Sequence, residues 1–225
     1  MVVNCIGLVK HLRQASDAVP TLTLNALFPH RLYQICSVSG ARLIHIGTDC
    51  VFSGRRGGYC EDDLPNAEDP YGRSKLLGEV AGPGCLTIRT SIVGREASGS
   101  HGLLEWLVGQ RGKTVRGWSR AVFSGLTTRA LSSALGDVIA HHQSLAGLYH
   151  MASEPIDKLS LLNRFRDALA LEVAIEPDVT VRIDRSLDGS RFRQATGLVM
   201  PSWETMVGEV ATDATPCASI RSGAC

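Results

Sequence analysis

The run Ala41-Arg42-Leu43-Ile44-His45-Ile46, closed by Gly47-Thr48-Asp49, constrains the fold more than any other stretch of this chain. It is short, rich in branched apolar residues and without polar alternation, as a strand buried on both faces of a parallel sheet must be. The flanking chain agrees. Met1–Gly7 reads as a second buried strand, and Asp17–Cys36 as a helix with apolar positions Leu24, Leu27, Leu32 and Ile35, interrupted at Pro20 and Pro29. Tyr71–Val80 reads as another helix, and Cys85–Ser91 as another strand. Such alternation predicts an α/β fold with parallel strands, helical right-handed crossovers and a site at the strands' carboxyl ends. Thr48 and Asp49 fall at such an end.

Pro70 is a suitable first residue for the next helix, which carries Tyr71 and Lys75 at i and i+4. That spacing puts both on one face, about 5–6 Å apart at their Cβ atoms. The pair has a chemical use. A phenol titrates near 10, and an ammonium beside it favours the phenolate and draws the pKa toward neutrality. A hydroxyl from Thr48 would complete a set of donors around one substrate oxygen, the arrangement needed to protonate an alkoxide as hydride arrives. By itself the Tyr-x-x-x-Lys spacing fits an ordinary solvated helix equally well.

Context separates the two readings. Four ordered blocks, Ile46–Gly54, Tyr59–Asn66, Pro70–Glu79 and Ile88–Gly94, resemble the dTDP-4-dehydrorhamnose reductases and related sugar-nucleotide reductases of the extended short-chain dehydrogenase/reductase superfamily. The resemblance implies an α/β fold: a partial Rossmann-type parallel sheet with a small C-terminal substrate lobe. It implies Thr48, Tyr71 and Lys75 as catalytic residues. NADPH or NADH would lie against Asn4, Cys5, Ile6, Tyr71, Lys75, Arg89, Thr90 and Ser91, and a nucleotide-sugar substrate against Cys50, Val51, Phe52 and Arg185. Arg185 stands in Arg182–Asp188, which loosely matches the family's substrate loop without its proline. Arg55 or Arg56, in the loop Ser53–Gly58, would border the same pocket.

Three departures qualify the resemblance. Cys50 stands where these reductases usually have tyrosine, and Ile92 where an aromatic residue often follows Ser91. No Gly-x-x-Gly-x-x-Gly or Gly-x-Gly-x-x-Gly occurs among the 23 glycines, although a dinucleotide fold normally opens with such a turn. By resemblance Val2–Cys5 corresponds to the fourth strand of the sheet, so roughly three strands are expected to be missing and the polypeptide to be impaired. A non-catalytic sugar-nucleotide-binding or regulatory subunit of the same fold therefore stays open, as does a nucleotide-sugar epimerase. A dehydratase would carry an acidic pair after the threonine, where this chain has Asp49 followed by Cys50.

Beyond Gly94, helices are predicted over Leu103–Gln110, over Thr127–His142 with Thr127 or Thr128 as N-cap, and after Pro155; strands over Lys113–Trp118 and Gly147–Ala152. The expected division is a remnant dinucleotide domain at 1–152, a substrate lobe at 153–211 and a disordered tail at 212–225. Seven cysteines without a Cys-x-x-Cys pair exclude a disulfide framework and a zinc site; Cys5, Cys36 and Cys85 read as small core residues. Net charge +1 with no basic stripe argues against nucleic acid. No apolar run approaches the roughly 18 residues of a membrane span, so the expected location is the cytoplasm; a homodimer is allowed.

Overall fold

The structure, a computed structural model, describes residues 1–10, 17–96 and 101–213. In chain order its first half comprises β1 (Val2–Asn4), α1 (Ala18–Thr21), a π-helical stretch Leu22–Leu27, α2 (Phe28–Val38), β2 (Leu43–Ile46), a 3-10 turn Asp49–Val51, α3 (Pro70–Leu77), β3 (Cys85–Arg89) and β4 (Ile92–Val93). Then follow α4 (Leu103–Val108), β5 (Thr114–Trp118), β6 (Ala121–Phe123), β7 (Leu126–Thr127), α5 (Thr128–His141), β8 (Gly147–His150), β9 (Ile156–Asp157), α6 (Lys158–Ala168), β10 (Ala174–Asp178), β11 (Ile183–Asp184), α7 (Ser190–Thr196) and α8 (Trp203–Thr212).

The main sheet runs β1-β2-β3-β8 with every pairing parallel, the α/β arrangement that the buried apolar runs require. Every residue of β2 and β3 is buried. Their register sets Ile46 opposite Ile88 and Arg89 opposite His150, which lines up the carboxyl ends where the loops gather. Smaller sheets join β10 to β5, β4 to β7, and β11 to β6 to β9. Strands on both sides of residue 152 therefore pair with one another. One apolar core runs from Ile44, Leu86 and Ile88 through Val138 of α5 to Leu161 and Phe165 of α6 and Met206 of α8.

Helix starts follow local chemistry. Asp69 caps α3 by accepting from the Gly72 amide at 2.8 Å, with Pro70 at the first position; Thr127 caps α5, and Asp157 caps α6. The chain from Ala18 to Val38 departs from expectation, since helical backbone continues past Pro29. The π-helical stretch explains this. There the Phe28 amide bonds to Thr23 five residues back, and Pro29 has no amide to offer the Asn25 carbonyl. That freed carbonyl lies against Gly78, where a Cβ would approach it to 1.8 Å.

Cys5 is corrected: β1 ends at Asn4, and Cys5 lies exposed in the connection beyond it, whereas Cys36 and Cys85 are buried. Of the expected tail, residues 214–225 lie outside the described residues. No described helix is long and apolar enough to cross a membrane.

Candidate active site

Thr48 leaves β2 in extended backbone and caps the 3-10 turn, its hydroxyl oxygen accepting from the Cys50 amide at 3.2 Å and donating to Asp49 at 3.3 Å. The turn is anchored on the next strand, because the Asp49 amide donates to the Thr90 carbonyl at 3.1 Å. α3 presses against this turn at Gly72, where a Cβ would lie 2.2 Å from the Cys50 carbonyl oxygen. No other residue could stand there without moving the helix away. The close approach brings Tyr71 beside Thr48, near enough for the threonine hydroxyl to favour the phenolate, against the effect of burial.

Lys75 is buried one turn further along, and its ammonium donates to the Ile46 carbonyl at 3.0 Å. Its Nζ would be 3.7 Å from a Cβ on Gly7, so the backbone after β1 borders the ammonium. Thr48, Tyr71 and Lys75, from two separate segments, thus meet at one sheet edge. The expected pKa effect is corrected. Burial pushes the Tyr71 phenol above its ordinary value, and Cys50 pushes in the same direction. Burial also lowers Lys75. Desolvation outweighs the ammonium, which turns toward the strand rather than toward the phenol.

A fourth residue, absent from the sequence reading, locks this geometry. Asn25 is fully buried in the π-helical stretch. Its Oδ1 accepts from the Leu8 amide at 2.8 Å, and its Nδ2 donates to the Leu8 carbonyl at 3.0 Å and to Ser74 Oγ at 3.1 Å. Ser74 in turn donates to the Tyr71 carbonyl at 2.8 Å. One side chain therefore ties the segment beside Lys75 to the helix carrying Tyr71. The available signal was a polar residue inside an apolar helix, four positions before a proline.

The remaining expected residues divide. Cys5 and Ile6 are exposed beyond β1, and Ser91 is half-buried beyond β3. Asn4 turns inward, its Nδ2 donating to His45 Nδ1 at 3.0 Å. Thr90 is buried and supports the turn through its carbonyl. Arg89 is engaged elsewhere: it forks onto Glu79 at 2.7 and 2.8 Å, donates to His150 Nε2 at 3.3 Å and covers the Phe52 ring. Its guanidinium holds β3 to the segment just after α3, and its carbonyl accepts from the Met151 amide at 3.0 Å.

Val51 and Phe52 are likewise corrected. Both are fully buried beside Tyr59 and Leu187, with Phe52 stacked on Tyr59 at 4.1 Å, so they shape the turn from beneath. Cys50 and Arg185 do meet. Arg185 Nε donates to the Phe52 carbonyl at 2.8 Å, and its Nη1 lies 3.8 Å from the Cys50 sulfur. Burial, then Asp49, pushes the Cys50 thiol up to about 11, so it is a neutral wall of the site at ordinary pH. Arg55 pairs with Glu68 and Arg56 with Asp63, on exposed loop positions.

A family model described as "RmlD substrate binding domain" matches residues 1–215. A dTDP-4-dehydrorhamnose reductase of Mycobacterium tuberculosis is 35% identical over 102 residues, 41% of this chain and 34% of that protein. The stretch shared with these curated relatives thus spans 34% of their length. Among solved structures, a hypothetical dTDP-4-dehydrorhamnose reductase from Sulfolobus tokodaii superposes with TM-score 0.77 at 27% identity, over 91% of this chain and 77% of that one. A Bacillus anthracis dTDP-4-dehydrorhamnose reductase in complex with NADP superposes with TM-score 0.82 at 21% identity, over 95% and 80%. With the match running through β1, the Thr48 turn, α3 and α8 alike, the chain belongs to the RmlD substrate binding domain family.

Proposed function

We propose that this chain is an NAD(P)H-dependent reductase of a nucleotide-activated keto-deoxysugar, of the dTDP-4-dehydrorhamnose class. The observation that carries the reading is the meeting of Tyr71 and Thr48 at the strand end, with Lys75 on the same helix.

The donor set fits the nicotinamide end of a dinucleotide. Lys75 is a buried ammonium with one acceptor, Ile46, among the described residues, which leaves donors for a ribose. Cys5 and Gly7, in the connection after β1, lie beside it. When bound, the reduced nicotinamide supplies hydride to the keto carbon. Tyr71 gives its proton to the oxygen left negative, completing the secondary alcohol. A phenol raised by burial is fully protonated at neutral pH and so stands ready as the donor. The Thr48 hydroxyl donates to the same oxygen, and the charge of Lys75 stabilises the phenolate once the proton has left. Arg185, beside Cys50, suits a phosphate of the nucleotide.

The test is NADPH and NADH oxidation by the purified chain with dTDP-4-dehydrorhamnose, with formation of the reduced sugar nucleotide followed by chromatography. Turnover supports the reading. Tight sugar-nucleotide binding without oxidation of either cofactor favours the non-catalytic binding subunit instead.

A further inference from the structure

Lys158 is the first residue of α6, directly after its cap Asp157. A cation there opposes the helix dipole, whose positive end lies at the amino terminus. No described residue forms a hydrogen bond or an ion pair with its ammonium. Lys158 Nζ lies instead over the Phe123 ring, 3.8 Å from its centroid. Pairing of β6 with β9 sets Phe123 opposite Ile156, so the ring and the start of α6 are held as one unit. The ammonium interacts electrostatically with Asp49 and Cys50, in the turn after Thr48, and with Lys10, while burial lowers its pKa. A half-buried cation placed against the local helix preference, with spare donors and facing the residues beside Tyr71, has no structural compensation in its own element.

We infer that Lys158 is a substrate contact, which presents its ammonium to an oxygen of the sugar ring on the side of the pocket formed by Phe123 and the Asp49–Cys50 turn. This rests on the reductase reading of that site and names a residue that reading does not use. Lys158 thereby selects among sugars that differ in the oxygens opposite α6. The Phe123 face holds the ammonium in place without consuming its hydrogen-bond donors, and neighbouring Asp49 balances its charge. The contact is assigned to the sugar because Lys158 interacts with the Asp49–Cys50 turn that follows Thr48, beside the reacting carbonyl, while Arg185, on the Cys50 sulfur, suits the phosphate.

Calorimetric titration of the full chain with dTDP-rhamnose and, separately, with dTDP tests the assignment. The wild-type chain is expected to bind dTDP-rhamnose more tightly than dTDP. Lys158→Met is expected to weaken dTDP-rhamnose about tenfold, the loss of one hydrogen bond from a charged donor, and to leave dTDP unchanged. Lys158→Arg should restore part of the difference, and thermal melting of both variants shows that they fold. Unchanged dTDP-rhamnose affinity in Lys158→Met overturns the inference, as does an equal loss for both ligands. That failure leaves NADPH oxidation by the wild-type chain standing. Sugar discrimination that depends on Lys158 in a chain without turnover upholds the contact and sinks the reductase reading alone.

Discussion

Gly72 and Cys50 touch backbone to backbone: a Cβ on the glycine would sit 2.2 Å from the cysteine's carbonyl oxygen. α3 is thereby seated on the turn that follows Thr48, and the phenol at its amino end reaches the threonine. The placing of Tyr71 beside Thr48 is thus a packing consequence of one missing methyl group.

Gly72→Ala is accordingly expected to destabilise. In an open helix the same change stabilises by about 1 kcal/mol; here overpacking against a backbone carbonyl costs about 1–3 kcal/mol. In a chain of this size each 1 kcal/mol moves the midpoint by about 2–4 °C. Differential scanning calorimetry decides the sign. A variant as stable as the parent contradicts the close approach.

Asn25→Ala strands the Leu8 amide and carbonyl and one bond of Ser74. Leaving such groups unpartnered costs about 1–3 kcal/mol. Because Leu8 follows the backbone beside Lys75, NADPH affinity should fall as well. Urea unfolding and a cofactor titration measure the two effects; a stability loss with unchanged NADPH affinity would separate Asn25 from the site.

Stability should fall on acidification below neutrality. Burial, then Lys75, holds His45 down to about 3, and burial, then Arg89, holds His150 down to about 4. Both are neutral when folded, whereas the unfolded imidazoles titrate near 6.5. The unfolded chain therefore binds more protons between pH 6.5 and 4, and this contribution to stability, present above pH 6.5, is lost as pH falls through that window. Each group contributes up to about 1.4 kcal/mol per pH unit. His45→Asn, compared with the parent at pH 7 and pH 5, should shrink the difference in unfolding midpoint. An unchanged difference would mean that His45 already titrates in the folded chain.

The chemistry-bearing pattern was legible because it is local. Thr48 ends an unbroken apolar strand, and Tyr71 and Lys75 share a helix face by spacing alone. The surroundings of Asn25 and Lys158 were not legible, because their partners lie far along the chain: Leu8 and Ser74 for one, Phe123 and the Asp49 turn for the other. Val51, Phe52 and Arg89 misled for the opposite reason. They adjoin the motif in sequence, yet packing against Tyr59 and Leu187 and, for Arg89, the ion pair with Glu79 turn their side chains inward. The direction of the Tyr71 shift required knowing how deeply the phenol is buried, a tertiary quantity that i, i+4 spacing does not contain.

The most direct measurement is the single-turnover rate of NADPH oxidation with dTDP-4-dehydrorhamnose for the parent and for Tyr71→Phe, which removes one oxygen and keeps the ring. The account predicts a loss of about 10²–10⁴-fold with NADPH affinity and melting temperature retained, the contribution of a positioned general acid. A parental rate in Tyr71→Phe would contradict it.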